Sequence, residues 1–204
     1  CSTVIALFQG ILGSVPYWYV TYAGQYSNFV VKGMIAYADS GITALLPFLI
    51  LVSWVTALIW TLFPIARQTG IRHAFMLSML FAILIVVSIF SGVPSIVQSL
   101  YWFAASVPYT IPCVLLTFYA GVFIRVVHNP SFNRVPLWAQ VGTALFILIN
   151  GGFSEVFTAF QITLLLLTSF AYWKFAPPPI RHKALRLLAI ALIFSILALA
   201  IVAL

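Results

Sequence analysis

Of 204 residues, 64% are hydrophobic and 5% charged, and the mean hydropathy is +1.19. Soluble domains are about a quarter charged, so this composition excludes a water-soluble enzyme or binding module and points to an integral membrane protein. The formal charge of +7 does not indicate nucleic acid, because the basic residues sit in short loops between apolar runs, where they report topology.

Residues 1–15 are apolar, yet as a helix they cover only about 22 Å, short of a hydrocarbon core of roughly 30 Å. They read as the end of a truncated span. The chain opens on Cys1 with no initiator Met and no basic segment, so no intact signal peptide is expected, and the sequence reads as part of a longer chain. Residues 16–40 form an aromatic loop that carries Tyr17, Trp18, Tyr19, Tyr22 and Tyr26, side chains that settle at a membrane–water interface. A short interfacial helix is expected over 30–37.

Full spans are predicted at 41–63, closed by Pro64, and at 74–91, with a basic loop holding Arg67, Arg72 and His73 between them. Residues 94–108 are uncharged and carry Tyr101 and Trp102; they read as an interfacial or re-entrant segment. Further spans follow at 109–127, at 136–150 behind a first-turn proline, at 156–173 and at 187–204. The stretch 174–186 between the last two reads as a basic loop broken by Pro177, Pro178 and Pro179. The expected fold is thus an all-α transmembrane bundle of about six or seven spans forming a single domain.

Counting charge by loop gives the orientation. Arg67 and Arg72 lie in one loop, Arg125 and Arg134 flank a second, and Lys174, Arg181, Lys183 and Arg186 lie in a third, so eight of the nine Lys and Arg residues occupy alternate loops. The excess of Lys and Arg makes loops 64–73, 125–134 and 174–186 cytoplasmic, in a multi-pass protein of the cell (inner) membrane. That face would meet anionic lipid headgroups. His73, His128 and His182 share it and read as headgroup contacts. Cys113 falls inside an apolar span and Cys1 near the cytoplasmic side, which disfavours both a disulfide between them and lipidation of Cys1.

The opposite face holds both carboxylates, Asp39 and Glu155, together with Lys32. Each carboxylate has two readings. Asp39 precedes a helix start and Glu155 follows Ser154 at another, where an acid suits free N–H groups and the helix dipole. Alternatively, the two work as an acid–base pair or share a divalent cation. Thr158 shares the helical face of Glu155, and Gln161 lies one turn further on. Lys32 can pair with Asp39, meet a phosphate or snorkel to the surface.

Three stretches of this outer face bear a likeness to a known group. SLYWFAASVPYTIP at 99–112 resembles a segment of polytopic bacterial membrane proteins with a GT-C glycosyltransferase-like fold, in which a YW pair precedes a small-residue turn and a Y-T-x-P helix start. YVTYAGQY at 19–26 is similar to that group's W-x-G-R loop, and NGGFSE at 150–155 is similar to its glycine-then-glutamate loop. The resemblance covers about 17–161 and implies a transferase that takes sugar from a polyprenyl-phosphate-linked donor at the extracytoplasmic surface. It implies Glu155 and Asp39 as catalytic carboxylates, with Glu155 acting on the acceptor or holding a metal. Tyr101 and Trp102 become a sugar or lipid platform, and Tyr22, Gln25 and Lys32 further contacts to the substrate lipid. The chain departs from the pattern in one loop: no acid stands there before Asp39, and Gln25 replaces the arginine. The alternative is a non-catalytic accessory or structural subunit of a larger membrane complex. A transporter would want charges inside its spans, and almost none are present.

Overall fold

The computed structural model describes residues 24–37, 40–93 and 106–203, and among them every regular element is helical. In order these are α1 (Tyr26–Tyr37), α2 (Ser40–Gln68), α3 (Ala74–Ser91), a π-helical turn (Ser106–Thr110) leading into α4 (Ile111–His128), α5 (Leu137–Gly151), α6 (Glu155–Phe175) and α7 (Pro178–Ala203). Five helices are long and apolar enough to cross a membrane: Ala44–Gln68, Ala74–Ser91, Ser106–His128, Glu155–Phe175 and Pro178–Ala203. α5 is apolar but shorter, at 15 residues, or about 22 Å. The chain is a helical membrane bundle.

Several helix ends differ from the sequence reading: α1 begins at Tyr26 rather than at 30, and two more shift at prolines. α2 does not stop at Pro64; it contains Pro47 and Pro64 and runs on to Gln68. α7 begins at Pro178, so most of the stretch read as a basic loop is helix, and the chain breaks only around Pro177. Proline fits a first helical turn, where its missing N–H has no intrahelical partner to lose, and neighbouring helices make it tolerable inside a membrane helix.

Packing follows small side chains. Ala57, Ala82, Ala184, Ala191 and Ala198 are all fully buried, which brings helix backbones close where lipid offers no hydrophobic drive for association. α2 packs along α3 and α4, while α7 packs along α5 and α6 and also touches α4. The main core joins Tyr119, Phe123 and Val127 of α4 to Ile147, Leu165, Leu187 and Leu188, and a second joins Ile50 and Ala57 of α2 to Val114. Outward faces are apolar instead: Met76 is 70% exposed, and Leu167 and Ile193 are each 62% exposed. Exposed apolar side chains around a buried small-residue seam suit surrounding lipid.

The bundle has two chemically different ends. At one, the Lys183 ammonium donates to the carbonyls of Asn129 (3.1 Å) and Phe132 (3.2 Å), tying α7 to the α4–α5 loop. Arg125 stacks 3.6 Å above the Trp60 ring, joining the ends of α4 and α2. This basic end gathers the loops after α2, α4 and α6. Glu155 opens α6 at the other end.

Candidate functional site

The glutamate end is built by the turn between α5 and α6. Ser154 is extended (φ −165°, ψ 150°), and its hydroxyl accepts a hydrogen bond from the Phe157 N–H at 3.1 Å. That is an N-cap, and it leaves Glu155 as the first residue of α6. The Glu155 side chain is exposed and stands at the positive end of the helix dipole, where a carboxylate is favoured. Among the described residues no three His, Cys, Asp or Glu side chains gather as a metal-binding group.

Behind Glu155 lies a buried polar chain that crosses three helices. The Asn150 amide donates to Gln161 Oε1 at 2.8 Å, and the Gln161 amide donates to Ser195 Oγ at 2.8 Å. All three residues are fully buried. The Thr158 hydroxyl lies 2.6 Å from the Gly151 carbonyl and 2.8 Å from that of Ser154, sealing the turn. One acceptor, Asn150 Oδ1, is buried with no partner. Sequence reading placed Gln161 near Glu155 but did not connect it to Asn150 and Ser195. The available signal was Gln161 as the one amide of α6 and Ser195 as the one hydroxyl of α7, since such groups turn inward to find partners.

A third piece docks on this turn from a distant part of the sequence. The Ser27 N–H donates to the Gly152 carbonyl at 3.0 Å, its hydroxyl to that of Ile149 at 2.6 Å, and the Tyr26 hydroxyl to that of Leu148. The Tyr26 ring lies so close to Gly152 that a Cβ there would overlap it. Gly24 approaches the other side of the site, where an added Cβ would meet the Val202 carbonyl at 2.5 Å. The start of α1 therefore plugs the gap between the ends of α5 and α7. α1 also touches the Ser106–Thr110 turn.

The site residues named from sequence divide accordingly. Gln25 accepts a hydrogen bond from the Asn28 amide at 2.6 Å, one turn along, and so is held to the start of α1. Lys32 is half-buried on α1, and burial pushes its ammonium below the usual lysine range because desolvation disfavours the charged form. Asp39, Tyr22, Tyr101 and Trp102 lie outside the described residues. The segments of Gln25, Lys32 and Glu155 meet at one end of the bundle. No protein-family model, curated protein or solved structure matches the chain with significance.

Proposed function

We propose that the chain is a multi-pass membrane protein of the cell (inner) membrane that works as a GT-C-like glycosyltransferase, moving sugar from a polyprenyl-phosphate-linked donor at its glutamate end. One observation carries this reading. The stretches likened to that group occupy 19–26, 99–112 and 150–155, and their described parts converge: Tyr26 sits on the α5–α6 turn, and α1 touches the turn at Ser106–Thr110. Segments so far apart in sequence gain nothing from meeting by helix propensity alone. In this reading the basic end is cytoplasmic and the glutamate end faces the other side.

The residues take roles their settings permit. Glu155, exposed and ionisable, accepts the proton of the acceptor hydroxyl as its oxygen attacks the anomeric carbon. The bond from that carbon to the phosphate oxygen breaks, and the electron pair leaves with the phosphate. The Lys32 ammonium is short of solvent and gains a counter-charge from that phosphate. Tyr101 and Trp102 supply the sugar and lipid platform, Asp39 is the second catalytic carboxylate, and Tyr22 and Gln25 are further contacts to the substrate lipid. In membranes containing the full chain and a radiolabelled polyprenyl-phosphate sugar, Glu155→Gln should cut transfer by about 10²- to 10⁴-fold, the usual contribution of a general base. Equal transfer by the variant would remove Glu155 from the mechanism.

A second reading has an observation of its own. The buried polar side chains behind Glu155 bond to one another and to helix carbonyls, which is what a structural or accessory subunit of a membrane complex requires. Such a subunit would stay stoichiometric with other membrane proteins through purification in mild detergent. An enzyme acting alone would purify free of them.

A further inference from the structure

At the basic end, the turn from α2 to α3 forms an open cleft of about 450 Å³, lined by Phe63, Arg67, Ile71, Arg72, His73 and the first residues of α3. That volume falls within the roughly 300–1,000 Å³ typical of small-molecule sites. Its polar half is entirely basic. Arg67 and Arg72 are both exposed, and the one carboxylate among the described side chains, Glu155, stands at the far end of the bundle. Its other half is apolar and equally uncovered: Ile71 is 41% exposed, Phe75 58% and Met76 70%. Phe63 and Phe75, both lining the cleft, meet edge to face with centroids 6.4 Å apart. Gly70, at φ +75°, makes the turn between α2 and α3, and Arg67 and Arg72 from its two sides in sequence both line the cleft.

We propose that this cleft binds the phosphate of an anionic membrane phospholipid. Its diester sits between Arg67, Arg72 and His73, and its acyl chains run down the exposed faces of Phe75 and Met76. Arginine suits this role because its planar donors match phosphate oxygens in pairs. The apolar half selects a lipid over a free anion, since a soluble phosphate leaves it wet. The proposal concerns the end of the bundle opposite Glu155 and is independent of any transferase activity there.

The test uses the full chain in detergent, titrated with phosphatidylglycerol or phosphatidylcholine and read by native mass spectrometry. Retention of phosphatidylglycerol should exceed that of phosphatidylcholine. The double variant Arg67→Gln/Arg72→Gln should lower it by roughly tenfold or more, the loss expected for two cations at a lipid surface. Both side chains are exposed, so the fold should persist, which circular dichroism checks. The control Lys174→Gln/Arg181→Gln removes the same charge from the same end and should retain the lipid. Equal loss from both double variants would mean diffuse attraction and overturn the cleft. Displacement by soluble glycerol phosphate at matched concentration would overturn the lipid in favour of a free phosphate ester. Unchanged retention in Arg67→Gln/Arg72→Gln would overturn the proposal outright.

Discussion

Gln161 shows what one amide does in a bundle that lipid surrounds. Its two ends reach Asn150 on α5 and Ser195 on α7, so a single side chain of α6 fixes the register of three helices. Gln161→Ala strands a buried donor on Asn150 and the Ser195 hydroxyl, and also opens a cavity. Buried unsatisfied groups cost about 1–3 kcal/mol each in soluble proteins, but hydrogen bonds between membrane helices average only about 0.6 kcal/mol. The membrane figure governs here because the unfolded helices also find partners, so the expected loss is about 1–2 kcal/mol, measured by unfolding in mixed micelles. Glu155→Gln, at an exposed position, should stay within about 0.5 kcal/mol in the same assay. If the two variants were equally destabilised, Glu155 would be a structural residue and the buried chain would not be what organises this end. The sequence made Glu155 conspicuous because acids are rare in it, whereas the structurally decisive residue is a neutral amide with no charge to advertise it.

Helices meet where side chains are smallest, and two glycines show it. At Gly121 of α4, an added Cβ would overlap the Trp60 ring that Arg125 covers, while the Thr61 hydroxyl donates to the Thr117 carbonyl one turn away at 2.7 Å. At Gly152, it would overlap Tyr26 and come 2.6 Å from Ser27 Oγ. Gly152→Ala should therefore lift α1 from the α5–α6 turn, costing about 1–3 kcal/mol as overpacking does. Limited proteolysis reads this directly: new cleavage near Tyr26 is expected in the variant, and an unchanged pattern would mean that α1 is not held by this contact. Helix positions were largely legible from apolar run length, because a span must be long and its backbone must satisfy itself. Helix ends were less so. Proline reads as a stop in water, but at Pro64 the helix continues through it and at Pro178 a helix begins on it. The docking of α1 on Gly152 was not legible at all, since it depends on shape between residues far apart in sequence.

Across the molecule, charge and span length bear on how the bundle sits in a bilayer. The helices after α1 alternate in direction, and α2 and α4 run parallel, with Ile50 beside Val114 and Trp60 beside Gly121. This places the α2–α3, α4–α5 and α6–α7 connections at one end, where the cations collect, and the α5–α6 turn at the other. Span lengths are uneven: α7 has 26 residues and α5 only 15, or about 39 Å against 22 Å. A long span tilts and a short one thins the bilayer locally, so the surface near Gly151 and Glu155 is expected to dip where the proposed lipid-linked donor would approach. The orientation proposed from the charge pattern puts the basic end in the cytoplasm, and cysteine labelling tests this. On a background with Cys1 and Cys113 replaced by serine, an impermeant maleimide applied to intact cells should label Val156→Cys, whose native side chain is 68% exposed beside Glu155. Thr69→Cys and Ser131→Cys, both exposed at the basic end, should react only after permeabilisation. The reverse pattern would turn the bundle over and put Glu155 on the cytoplasmic side. It would also move the proposed lipid cleft to the outer leaflet, leaving an extracytoplasmic transferase without its acceptor-facing carboxylate.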